Sequence, residues 1–93
     1  MSGDFSFEII AHIGVIQEHQ TGWTKELNII SWNGNPPKYD IRDWSPNHDH
    51  MSRGITLNED EMARMIEAVA EKGKDIKLLF DKARKKEARE MER

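Results

Sequence analysis

The 93-residue chain has no cysteine, which excludes disulfide staples, thiolate metal sites and cysteine nucleophiles, and fits a reducing compartment. No apolar run approaches the roughly 20 residues of a membrane span. The opening MSGDFSFEII has neither the basic region nor the apolar core of a secretion signal, so the expected setting is the cytoplasm. Apolar side chains are scarce, at 37% against 33% charged, with a mean hydropathy of −0.81. A chain this short supports one small domain with a modest core. A solvated tail or a partner subunit must account for the apolar shortfall. Positive charge is not in excess either. The net charge of −3 argues against a partner held by bulk positive charge alone, yet leaves room for a local basic patch.

What is present is unevenly distributed. Residues 1–58 hold all three Trp, the only Tyr, all three Pro and five of the six Gly, whereas residues 59–93 hold no Trp, Tyr or Pro. The hydrophobic period changes at the same place, from sheet-like to helical. Phe5, Phe7 and Ile9 alternate with polar residues as a half-buried strand does, and the alternation slips near Ala11 to Gly14, predicting a bulge. QEHQTG reads as a turn. A second strand is expected over residues 23–32, with Lys25, Leu27, Ile29 and Ser31 on one face and Glu26, Asn28, Ile30 and Trp32 on the other. NGNPP is a turn because Asn-Gly accepts positive φ and proline cannot donate to a ladder. A third strand over residues 38–44 places Lys38, Asp40, Arg42 and Trp44 together. SPNHDHMS is a polar loop, and residues 53–57 form a short fourth strand.

Asn58 is a favoured helix N-cap, Glu59, Asp60 and Glu61 suit the positive end of the helix dipole, and Leu57 and Met62 have the spacing of a hydrophobic staple. Met62, Met65, Ile66, Val69 and Ala70 then give the helix one apolar face. Gly73 either ends the helix or weakens a longer one. Beyond it Ile76, Leu79, Phe80 and Ala83 continue an apolar stripe into a highly charged end, which reads as a solvated helix. The expected fold is α+β, four antiparallel strands and then an amphipathic C-terminal helix, with one sheet face covered and the other free. Residues 1–73 form the expected domain and residues 74–93 a charged helical extension.

The face carrying Trp44 also carries Lys38, Asp40 and Arg42, and Trp32 shares a partly polar face with Glu26 and Asn28. Aromatic rings beside Lys and Arg make a single-stranded nucleic-acid platform, since every base has a π-face to stack and every nucleotide a phosphate to pair. The bland alternative is that these Trp are core residues. Residues 1–58 contain four basic side chains (Lys25, Lys38, Arg42, Arg53) against seven acidic ones, and residues 59–93 balance ten against ten. Few phosphate contacts are therefore available per chain, and affinity must draw on stacking and on a second subunit.

KYDIRDW (Lys38 to Trp44) followed by RGITLNEDE (Arg53 to Glu61), in the context of FSFEIIAHIG and GWTKELNIISWNG, resembles the positive cofactor 4 family of single-stranded-DNA-binding coactivators, and most closely its bacterial YdbC-like branch. The resemblance covers about residues 5–70. It implies a homodimer whose helices pack together, with Met62, Met65, Ile66 and Val69 at the interface. It further implies curved sheets that present a groove to single-stranded DNA with little sequence preference. Carried over by position, it implies that Arg42, Trp44 and Arg53 face nucleic acid, that Trp32 is the aromatic ending the preceding strand, and that Lys25 and Lys38 contact the backbone. Trp23, at a turn, is a weaker candidate. The eukaryotic members' Ser- and Lys-rich regulatory region has no counterpart here, so its phosphorylation control is not carried over.

The expected role is a transcriptional coactivator or regulator, with RNA polymerase or associated factors as further candidate partners and RNA open beside DNA. The rival from another class is a protein-interaction module that uses the same aromatic face. His48, Asp49 and His50 have the look of metal ligands but lack a defined third donor, and no nucleophile sits in a catalytic context. No enzyme activity, metal or cofactor is expected. The KARKKEAR run reads as a solvated helix face, with interleaved Glu against a basic tail.

Overall fold

The computed structural model describes residues 5–91 of the chain. Four strands, β1 (Phe7–Glu18), β2 (Thr24–Trp32), β3 (Lys38–Trp44) and β4 (Ile55–Leu57), form one antiparallel sheet in sequence order, followed by two helices, α1 (Glu59–Lys72) and α2 (Lys74–Met91). The chain divides into two compact units, Met1–Met62 and Ala63–Arg93. The α+β class holds. Of the two roles open to Gly73, the structure shows the first: it ends α1 with a φ of 42°, in the left-handed region that terminates helices and that glycine enters without a Cβ penalty. Among the described residues no helix is long and apolar enough to cross a membrane.

Curvature dominates the sheet, and its cause lies in β1. That strand uses 12 residues to pair with the 9 of β2, and the three extra residues enter at register shifts between Ile9 and Ala11, His12 and Gly14, and Val15 and Gln17. Each bulge adds local twist and bend. The expected slip near Ala11 to Gly14 is one of three. The result is measurable: Phe7 pairs with Trp32 and Trp44 with Thr24, at opposite ends of β2, which in a flat strand would lie about 27 Å apart. The Phe7 and Trp44 rings nevertheless approach to 5.5 Å between centroids.

The turns support this shape. Asn33 and Gly34 both have positive φ, 51° and 76°, the requirement that Asn-Gly meets best. Asn33 also pairs through its backbone and side chain with Ser6, the first bond being Asn33 N–H to the Ser6 carbonyl at 2.8 Å. β4 spans three residues, and Gly54 just before it lies against β3: a Cβ there would collide with the Ile41 carbonyl oxygen and the Arg42 Cβ. At the start of α1 the Asn58 side chain accepts from Glu61 N–H at 2.7 Å and the Glu61 carboxylate accepts from Asn58 N–H at 2.8 Å. That reciprocal capping box satisfies two of the helix's orphan donors.

Candidate nucleic-acid interface

The inner face of the curved sheet carries Thr24, Glu26, Asn28, Ile30 and Trp32 from β2 and Lys38, Asp40, Arg42 and Trp44 from β3, which the antiparallel register places opposite one another. Side-chain parity in the sequence assigns these two groups correctly. The expectation that this face is the open one needs correction along most of its length. Ile30, Asn28, Asp40 and Trp44 are fully buried and Glu26 nearly so, because the bend folds the face on itself.

Its polar groups are held by one another. Arg42 donates from Nε to Asp40 Oδ1 at 2.7 Å and from Nη2 to Asp40 Oδ2 at 2.8 Å, a fork-on-fork pair that also fixes orientation. Nη1 of the same guanidinium reaches the Ser52 carbonyl and the Met51 sulfur, and its Cζ lies 4.5 Å from the centroid of the Trp32 ring, within cation–π range. Arg42 was expected to hold a phosphate. Four of its five N–H donors are instead engaged by β3 and the following loop, and its guanidinium lies over the Trp32 ring.

A second network surrounds Glu26. Thr24 Oγ1 donates to it at 2.6 Å, Asn28 Nδ2 at 3.2 Å and His48 Nε2 at 2.9 Å, while His12 Nδ1 donates to Asn28 Oδ1 at 2.7 Å. A carboxylate only accepts, so the His48 proton is assigned to Nε2. Burial alone raises the Glu26 carboxyl, but the bonds from Thr24, Asn28 and His48, with the His48 charge, hold it below its ordinary value. His48 has a φ of 61° and its ring lies 5.4 Å from that of Trp44. The loop expected to be merely solvated therefore sends one side chain back into the sheet.

What remains open is one end of the inner face. Phe5, Trp32, Asn35, Pro36, Lys38, Arg42 and Thr56 line a cavity of about 400 Å³. Phe5 and Phe7 both stack near Trp32, at 5.5 and 5.4 Å, so three rings and an exposed Lys38 converge there. The Nε1 atoms of Trp32 and Trp44 are both buried without an acceptor, an arrangement that costs about 1–3 kcal/mol each.

Of the residues singled out from sequence, the structure thus brings together Trp32, Lys38 and Arg42. Trp44 has no exposed ring face to offer a base, a correction whose cause is the bend that packs it against Phe7 and His48. Lys25 pairs with Asp43 across the ladder, on the sheet's other face. Arg53 is exposed just before Gly54. Trp23 is half-buried beside His19, Thr21 and Asp43. Met62 is buried by its own chain, whereas Met65, Ile66 and Val69 are 41%, 60% and 57% exposed. Of the four helix residues expected to meet a second subunit, Met62 therefore has almost no surface left to give.

Phe5 and Phe7 are the residues sequence reasoning did not place at this site. Their alternation shows a strand, but the contact with Trp32 needs the β1–β2 register.

Comparison with known proteins bears directly on this geometry. Residues 19–68 match the family described as Transcriptional Coactivator p15 (PC4). The chain is also 42% identical over 65 residues, 70% of its own length and 76% of the relative's, to an uncharacterized protein of Treponema pallidum (strain Nichols).

Proposed function

We propose, from the premise that the chain belongs to the Transcriptional Coactivator p15 (PC4) family, that it binds single-stranded DNA with little sequence preference and acts as a transcriptional regulator. Members of this family bind nucleic acid and are not enzymes. The observation that carries the proposal is the cavity where Trp32, flanked by Phe5 and Phe7, meets Lys38. A base slides against the Trp32 ring, Arg42 braces that ring from the Asp40 side, and Lys38 neutralises an adjacent phosphate.

The mode of binding follows from the charges. Trp32 and Lys38 act first, Arg53 adds a second cation near β4, Lys25 contributes from the opposite face, and Trp44 serves as the buried floor beneath the aromatic cluster. So few cations per chain make a second subunit part of the site, and the exposed Met65, Ile66 and Val69 are the surface it covers. In this reading residues 1–73 are the DNA-binding domain and residues 74–93 its extension, the setting is the cytoplasm, and RNA polymerase or its associated factors are candidate further partners.

Titration with an oligo-dT at several salt concentrations tests the proposal. Affinity should fall as salt rises with a slope of only a few phosphate contacts, and Lys38→Gln should reduce that slope by about one. Binding indifferent to both salt and Lys38→Gln would leave the aromatic cluster as a protein-docking surface.

A further inference from the structure

Positive charge is concentrated at the far end of the chain. Residues 1–73 hold six basic side chains against twelve acidic ones, whereas residues 74–93 hold eight against five. The single-stranded site described above draws only on cations of the sheet, which leaves the charge of α2 without a role.

That charge is ordered around the helix. Ile76, Leu79, Phe80 and Ala83 share one side at 3.6 residues per turn. Lys74, Leu78, Lys82 and Lys85, at steps of four, four and three residues, run along the opposite side. All three lysines are exposed, and none pairs with a carboxylate among the described residues. Asp81 lies beside the row, but its carboxylate is held by Lys77 at 3.7 Å and by Arg84 at 2.6 Å. A neighbour that covers the apolar stripe leaves the lysine row in solvent.

Helix stability does not account for these lysines. The negative end of the helix dipole favours cations only within the last turn. Lys74 stands at the opposite, positive end of α2, where a cation is disfavoured, and Lys82 and Lys85 lie nine and six residues before Met91. Pairing at i,i+4, the other local gain, engages Lys77 and Arg84 with Asp81 and bypasses the row.

We infer that the Lys74, Lys82, Lys85 row of α2 is a second nucleic-acid contact, directed at the phosphate backbone of duplex DNA and separate from the Trp32 site. Charge complementarity identifies the partner. At 18 residues α2 is about 27 Å long, and over that length a duplex presents about 16 phosphates, one per roughly 1.7 Å. A rigid row of cations thus meets a dense and rigid array of anions. The row carries no aromatic ring, so a base finds nothing to stack on, and the contact is made to phosphates without reading sequence. A flexible single strand gains little there. An anionic lipid surface also attracts lysines, but it needs a large apolar face to immerse. The α2 stripe covers about two turns, Ile76 to Ala83, and beyond it only Ala88 and Met91 are apolar.

Two full-length triple variants test the inference. Lys74→Gln/Lys82→Gln/Lys85→Gln keeps good helix formers in α2, and Lys25→Gln/Lys38→Gln/Arg53→Gln removes the same charge from the sheet. Each is titrated against a labelled duplex of mixed sequence at several salt concentrations, with anisotropy as the readout. The α2 variant should bind duplex on the order of tenfold more weakly at low salt, with a salt slope reduced by about one per lysine. The sheet variant should stay much closer to wild type on duplex, and with oligo-dT the order should reverse. Equal weakening of duplex binding by both variants, unchanged duplex binding by the α2 variant, or no duplex binding by wild type at low salt overturns the inference. Wild type should also fail to sediment with phosphatidylserine vesicles, and vesicle binding without duplex binding would assign the row to a lipid surface. A wild type that binds duplex through α2 yet ignores oligo-dT would uphold this contact while refuting the single-stranded reading.

Discussion

Replacing Arg42 by Ala removes both hydrogen bonds that reach Asp40, at 2.7 and 2.8 Å, and leaves a fully buried carboxylate without its counter-charge. The Asp40 side chain is 0% and that of Arg42 13% exposed, so solvent screens the pair little. Breaking a buried pair from one side costs about 3–5 kcal/mol, a large share of the roughly 5–15 kcal/mol that holds a small domain together. Urea unfolding at fixed protomer concentration should show the midpoint falling by about 2 M or more at a typical slope for this size. Asp40→Ala/Arg42→Ala should be more stable than Arg42→Ala, because the orphan charge goes with its partner. Oligo-dT affinity should fall only as far as Trp32 loses its brace. The reasoning fails if Arg42→Ala unfolds within 1 kcal/mol of wild type while DNA binding collapses. That result would make Arg42 a free phosphate ligand.

Trp32→Ala should leave the fold largely intact and weaken oligo-dT binding by about 1–3 kcal/mol, measured by fluorescence anisotropy, whereas Trp44→Ala should act on stability first, by about 3–5 kcal/mol in the same urea assay. Gly54→Ala should destabilise by about 1–3 kcal/mol, since its methyl has no room between Ile41 and Arg42; a neutral result would mean that β3 and β4 separate freely. The Glu26 carboxyl is held below its ordinary value of 4.5, so its contribution is complete above that pH and is lost as pH falls through the lower, folded value. Thermal melts of wild type against Glu26→Gln should therefore converge as pH drops below about 4, and a gap that widens there would refute the network.

Much of this molecule is legible in its residues. Lys38 to Trp44 reads as a strand and is one, Asn58 reads as the helix cap and is one, and the Asn33-Gly34 turn takes the predicted positive φ. Parity correctly grouped Glu26, Asn28 and Trp32 within β2 and Asp40, Arg42 and Trp44 within β3, and the β2–β3 register puts the two groups on one face. What parity cannot give is which face closes. That depends on three extra residues in β1, and only the register with β2 shows that the strand is longer than its partner. For the same reason Trp44 reads as exposed beside its polar neighbours, when Asp40 and Arg42 pair with each other and let the face close over the indole. Phe5, Phe7 and His48 enter the site through contacts between segments far apart in sequence, where local pattern is silent.

The central claim is that base stacking on Trp32 gives single-stranded binding. Intrinsic tryptophan fluorescence, followed while matched single-stranded and duplex oligonucleotides are added to wild type and to Trp32→Ala, tests it most directly. Single strands should quench wild-type emission at much lower concentration than duplex, and Trp32→Ala should lose most of the quenching while Trp23 and Trp44 still report a folded chain. Equal quenching by duplex, or quenching unchanged in Trp32→Ala, would contradict the account.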